Sequence, residues 1–264
     1  MPKVAVVTGG SSGIGLCTAQ ALCAAGCIVY ELSRHAGSGA KGVCHISADV
    51  TKPDEVQAAI ERILREQGRV DIVINNAGFG ISGAVEFTAA EEAKRLFEVD
   101  FFGMVHVNKA ILPLMRQAGA GRIVNISSMA GPAAIPFQTY YSAAKAAINA
   151  YTLALANEVR PFGITVCAIM PGDIRTGFTA AREKSAAGDD IYNGRIARSV
   201  AGMEKDEANG MRPEAAGKYI AGIACKRRVK PLYAIGFWYK CLAVLIKLLP
   251  VRVVNALVYL LYAR

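Results

Sequence analysis

The 264-residue sequence has one tryptophan, three histidines and no C-x-x-C pair among its seven cysteines. His35, His45 and His106 stand far apart, and the cysteines at 17, 23, 27, 44, 167, 225 and 241 are odd in number and irregularly spaced. This argues against a metal site and against a disulfide framework. The cysteines read instead as small buried hydrophobes in a reducing cytoplasm. Charged residues are only 19% of the chain against 53% hydrophobic, which excludes a disordered polyelectrolyte. The apolar stretch from Phe237 to Leu249 is broken by Lys240 and Lys247 and ends at Pro250, short of the ~20 residues of a membrane span. Met1 leads straight into a strand pattern, so no secretory leader is expected.

The formal charge of +9 is spread along the chain. The one compact basic cluster, Lys226, Arg227, Arg228 and Lys230, precedes the apolar tail, a pattern that suits a membrane surface better than nucleic acid. No nucleic-acid partner is expected.

Apolar runs at 3–8, 27–32, 43–46, 71–74, 122–126 and 164–169 alternate with helical patterns at 14–25, 52–67, 89–116 and 139–159. Strands that are apolar throughout and alternate with helices imply a parallel sheet covered on both faces, read here as one domain over 1–264. Ligands of such sheets sit beyond the carboxyl ends of the strands. Residues 178–217 lack a clean period and read as short helices and loops forming a mobile cover over that site. Residues 237–264 read as two amphipathic helices joined at Pro250, suited to closing a substrate pocket, a subunit contact or peripheral membrane attachment.

Between the first strand and first helix lies Thr8-Gly9-Gly10-Ser11-Ser12-Gly13-Ile14-Gly15. Glycines let the backbone turn sharply and approach a pyrophosphate, and the helix start offers unpaired N–H groups to the anion. The end of the second strand then discriminates between cofactors, because an acidic side chain there would bind a ribose 2′-OH and repel a 2′-phosphate. Ser33 and Arg34 suit a phosphate, favouring NADPH over NAD; Glu31, on the same strand face as Ser33, is the rival that would bring NAD.

Tyr141 and Lys145 are one helical turn apart, so the ammonium is expected to lower the phenol pKa from ~10 toward a working range. Ser128, just after the fifth strand, could hold a substrate oxygen near the phenol, while Ser127 points the other way.

With Asp49 after the third strand, Asn75-Asn76-Ala77-Gly78 after the fourth, and Pro171-Gly172 with Thr176 after the sixth, the order and spacing resemble the short-chain dehydrogenases/reductases over 3–176. The resemblance implies a doubly wound α/β Rossmann fold, with a parallel sheet of about seven strands and helices on both faces. It implies an oxidoreductase moving a hydride between a nicotinamide and a carbonyl or secondary alcohol. Thr8, Gly9, Ser11, Ser12, Gly13, Ile14 and Gly15 would hold the cofactor, and Asp49 and Val50 would flank its adenine. Asn76, Ala77 and Gly78 would line the ribose, and Pro171, Gly172, Ile174 and Thr176 would meet the nicotinamide end. Ser128 would orient the carbonyl, Tyr141 would donate its proton, and Lys145 would bind the nicotinamide ribose.

One position departs from the pattern. Asp100 stands in Val99-Asp100-Phe101-Phe102-Gly103 where the family places an asparagine that supports a water relay to the lysine. An ionised Asp100 would stabilise the lysine charge and offset part of its effect on Tyr141. The tail is similar to extensions of relatives acting on steroids, retinoids and other lipids, which points to an apolar small-molecule substrate. The resemblance also implies a homodimer or homotetramer paired through the helices near Asp100 and Tyr141.

Overall fold

Successive residues of a strand face opposite sides, and in β1 (Val4–Thr8) both sides are apolar and buried. Val4 and Val6 join one core with Tyr30, Leu32, Ile60, Ile111 and Ile123, while Ala5 and Val7 join a second with Leu22, Val29, Ile74, Val124 and Ile220. A strand buried on both faces must lie inside a sheet sandwiched between helices. The computed structural model describes residues 1–37 and 39–264.

The strands that follow are β2 (Ile28–Ser33), β3 (Val43–Ser47), β4 (Ile72–Asn75), β5 (Ile81–Ser82), β6 (Gly121–Ile126), β7 (Ile164–Met170), β8 (Glu183–Lys184) and β9 (Leu232–Ala234). Seven form one parallel sheet in the order β3-β2-β1-β4-β6-β7-β9. The order reverses between β1 and β4, which opens a crevice at their carboxyl ends. The other two, β5 and β8, make a small parallel pair.

Helices α1 (Gly13–Ala24), α2 (Pro53–Gln67), α3 (Ala90–Phe97), α4 (Gly103–Ala118), α5 (Thr139–Glu158), α6 (Phe178–Ala181), α7 (Arg195–Ala208), α8 (Pro213–Cys225), α9 (Phe237–Leu248) and α10 (Val251–Tyr262) complete the chain. Residues of α2, α4 and α5 pack in the first core, and those of α1 and α8 in the second.

Four expectations need correction. The helix read as continuous over 89–116 is divided: α3 and α4 are joined by a π-helical turn, Glu98–Phe102, that carries Asp100. The end of this stretch lies beyond the expected 116, since α4 runs through Pro113 to Ala118. The segment 178–217 contains the 14-residue α7 and the first turn of α8, a core helix whose apolar period was masked by Gly217 and Gly222. The basic cluster 226–230 precedes β9, so it lies at the opposite end of the sheet from the tail, which follows β9. Of the cysteines, Cys27 and Cys167 are buried while Cys44, Cys225 and Cys241 are exposed; those described form no disulfide.

Candidate active site

The loop from β1 to α1 borders a cleft of about 1170 Å³. Gly9 and Gly13 have φ of +63° and +54°, which side chains rarely adopt. Gly9, Ser11, Ser12, Gly13 and Ile14 line the cleft. The first turn of α1 has neither a side-chain cap nor an acidic residue, so its N–H groups remain available to an anion.

Thr8 and Gly15 do not reach the cleft. The buried Thr8 hydroxyl accepts hydrogen bonds from the Asn76 and Ala77 N–H groups at 2.9 and 3.0 Å, tying β1 to the turn after β4. A Cβ on Gly15 would fall 2.2 Å from the Gly9 carbonyl oxygen, so this glycine lets the helix close on the loop. Asn76 also donates to the Thr8 and Gly9 carbonyls, and Asn76, Ala77 and Gly78 all border the cleft.

At the end of β2 the two rivals separate. Ser33 and Arg34 line the cleft. Glu31 is buried, packs its Cβ under Gly10, and has Oε1 engaged by His45 and by the Ser33 hydroxyl. Asp49 and Val50 complete this end. Asp49 accepts from the Thr51 N–H and hydroxyl at 2.9 and 2.8 Å. Burial alone would raise its carboxyl, but these bonds with Arg34 and Lys52 hold it below the usual range.

Ser128, Tyr141 and Lys145 meet at the middle of the cleft. Ser127 also borders the cleft, but its hydroxyl is engaged, donating to the Lys145 carbonyl at 2.9 Å. The Lys145 ammonium lies 5.3 Å from the Tyr141 ring centre and 2.9 Å from Asp100 Oδ2. Asp100 is 2% exposed and behind the cleft wall; its Oδ1 accepts from the Phe79 N–H at 2.9 Å. Burial would lower the Lys145 ammonium, but Asp100 and Tyr141 together outweigh it and keep the lysine above its usual range.

The expected lowering of the phenol is overturned by this geometry. Burial pushes Tyr141 up, Lys145 pulls it down, Asp100 pushes it up again, and the hydrogen bond with the Ser128 hydroxyl pulls only partly against them. The phenol therefore sits above its ordinary range and is protonated at neutral pH.

Pro171, Gly172, Ile174 and Thr176 line the cleft too, with Thr176 beside the glycine-rich loop, about 3.7 Å from where a Cβ on Gly13 would sit. Phe178, Arg182 and Glu207 from the following segment, and Leu242, Leu245, Leu257 and Leu261 from the tail, supply the remaining wall. Tyr239 of α9 donates a hydrogen bond to Asp173 and lies against Gly172, where a Cβ would fall 2.2 Å from the ring.

Sequence reasoning missed Asp173, Arg182, Glu207 and Tyr239, because they lie in segments without a motif. It also missed a buried amide chain: Asn75 donates to Asn108 and Asn125 at 2.8 Å each, and Asn125 donates to Thr152 at 2.9 Å. Asparagines inside otherwise apolar strands were the available signal.

Residues 3–187 match the family model for short chain dehydrogenase. The chain belongs to the short-chain dehydrogenase family. This short-chain dehydrogenase is 43% identical over 244 residues to 3-ketodihydrosphingosine reductase of Bacteroides thetaiotaomicron, covering 89% of this chain and 91% of that one. It is 32% identical over 252 residues to probable short-chain type dehydrogenase/reductase VdlC of Helicobacter pylori, covering 94% and 93%. Its fold is similar to that of a short-chain dehydrogenase from Streptomyces avermitilis, with a TM-score of 0.84, 31% identity and coverage of 94% and 93%. As a short-chain dehydrogenase it is an oxidoreductase whose fold binds a nicotinamide dinucleotide. Among the described residues no helix is long and apolar enough to cross a membrane.

Proposed function

We propose that this short-chain dehydrogenase reduces the carbonyl of an apolar, lipid-like substrate with NADPH, using Tyr141 as proton donor. The observation that carries this reading is Tyr141, with Lys145 5.3 Å from its ring centre, in one cleft lined both by the start of α1 and by the leucines of the tail. A protonated phenol is the form that can donate to a carbonyl oxygen as negative charge develops there. The Bacteroides relative supports a keto substrate, since its name describes reduction of 3-ketodihydrosphingosine.

Bound NADPH would supply the hydride. The backbone of Gly9 to Ile14 with Ser11 and Ser12 would hold its pyrophosphate, Arg34 and Ser33 the 2′-phosphate, and Asp49 and Val50 the adenine. The burial of Glu31 away from the cleft favours NADPH over NAD. Asn76, Ala77 and Gly78 would line the ribose, Lys145 would bind it, and Pro171, Gly172, Ile174 and Thr176 would seat the nicotinamide. Ser128 and Tyr141 would both point at the substrate oxygen, and the proton would pass from the Tyr141 hydroxyl. Asp100 acts through Lys145 as a positioning residue, by an ion pair in place of a relay. Tyr141→Phe is expected to lower kcat for ketone reduction by ~10²–10⁴-fold with NADPH binding intact. An active phenylalanine variant would refute the assignment.

The same reading takes 1–264 as one domain, with 178–217 and 237–264 as the walls of its substrate pocket. Pairing through α4, the π-helical turn before it and α5, where Phe102 of the turn and Leu153 of α5 remain exposed, would make the homodimer or homotetramer. The tail favours a peripheral seat on an anionic bilayer. Twelve of the eighteen large apolar side chains exposed among the described residues lie in 237–264, which has Lys240, Lys247, Arg252 and Arg264 but no acidic side chain. Leu242, Leu245, Leu257 and Leu261 are both exposed and cleft-lining, so an apolar substrate could enter through that surface. Trp238, the only tryptophan and 79% exposed, reports directly. Its emission should shift to the blue with anionic vesicles and stay unchanged with zwitterionic ones; no shift with either would remove the membrane from the reading.

A further inference from the structure

Past Tyr141 the cleft wall carries a cation that neither the proton transfer nor the cofactor uses. Phe178 lies 5.9 Å from the Tyr141 ring, centre to centre, and the Arg182 guanidinium lies 5.7 Å from the Phe178 ring centre. The side chain of Arg182 is 1% exposed, yet it borders the cleft. Its charge acts on the Tyr141 phenol, which places the two groups in one electrostatic environment.

A guanidinium has five N–H donors, and leaving them unmet in a buried place is costly. Nη2 of Arg182 meets Glu207, whose other carboxylate oxygen is taken by the Thr179 hydroxyl. Nε and Nη1 have no partner. The ion pair with Glu207 neutralises the charge, so what remains is two buried, unpartnered donors more than a site for a full anion. Beyond it the wall is apolar again, in the tail leucines.

We infer that Arg182 is a specificity-determining residue that donates hydrogen bonds to a hydroxyl or carbonyl oxygen of the substrate, close to the carbonyl being reduced. The preferred substrate is then an amphiphile: an apolar chain lying along the tail, with an oxygen-bearing head beside the reacting centre. A plain ketone would leave Nε and Nη1 buried and unpaired, which is the arrangement that gives strong discrimination against an analogue lacking the polar group. This rests on the ketone-reductase reading above and adds the polar end of its substrate.

The test compares a medium-chain β-hydroxyketone with the matching plain ketone. The wild-type enzyme should favour the hydroxyketone by at least about tenfold in kcat/KM. Arg182→Lys keeps a cation opposite Glu207 and removes the spare donors, so it should fold and bring the ratio near one, chiefly by raising KM for the hydroxyketone. Arg182→Gln should give the same ratio if it folds. A thermal-shift comparison of the corresponding 1,3-diol and mono-alcohol reads the same preference without turnover, so a failure of the reductase reading would not hide it. Equal kcat/KM for the two ketones in the wild type, or a preference that survives in Arg182→Lys, would overturn the assignment.

Discussion

At the scale of single residues, charge placement sets what Tyr141 can do. Burial, Asp100, Lys145, Arg182 and Ser128 all act on this phenol, and the first two raise its pKa. Carbonyl reduction needs the protonated phenol, so kcat/KM should fall only as pH rises through that raised value. Asp100→Asn removes a negative charge that raises it, and the alkaline limb should therefore move to lower pH. A pH profile of kcat/KM checks this, and an unmoved limb would leave Asp100 with a purely structural part. Cofactor choice is a second matter of one side chain. Arg34→Glu should exchange attraction for repulsion at a 2′-phosphate, costing NADPH about 1.5–3 kcal/mol, roughly 10–100-fold in kcat/KM, while NADH is spared. A loss shared equally by both cofactors would detach Arg34 from the phosphate.

Among the elements, legibility followed the strength of the local signal. Strands β1, β2, β4, β6 and β7 were readable because they are largely buried on both faces and hence mostly apolar, and the motif residues follow them directly. Asp100 was readable as a departure, but its direct contact with Lys145 was not, because the π-helical turn that aims it has no sequence period of its own. The three-residue β9 is too short to alternate, and α8 is interrupted by Gly222 and by Gly217, of which its packing requires the latter. Gly217 shows why: a Cβ there would lie 2.5 Å from the Cys17 carbonyl carbon, so only a bare Cα lets α8 close on α1. Gly217→Val should push the helices apart and destabilise the protein by about 1–3 kcal/mol, read by urea unfolding. Because α1 carries the anion-facing turn, KM for NADPH should rise in the same variant. Unchanged stability would show that the two helices adjust without strain.

For the whole molecule, the decisive contact joins the end of the chain to the loop after β7. The cleft is closed by three stretches far apart in sequence: the strand ends, the segment around Phe178 to Glu207, and the tail. Tyr239 fastens the tail, with its ring against Gly172 and its hydroxyl donating to the Asp173 carboxylate. Burial raises the Asp173 carboxyl while the Tyr239 bond opposes that rise, and burial together with the bond to Asp173 raises the Tyr239 phenol. A hydrogen bond contributes about 0.5–1.5 kcal/mol net, and Tyr239→Phe removes this one while keeping the ring. The sheet and the Tyr141 region do not depend on it. The variant should therefore melt near the wild-type temperature, yet lose protection of 237–264 in hydrogen exchange, with KM for an apolar ketone raised about tenfold and kcat little changed. A tail as protected as before, with the same KM, would mean that its apolar contacts with Met129 and Met170 suffice to hold it.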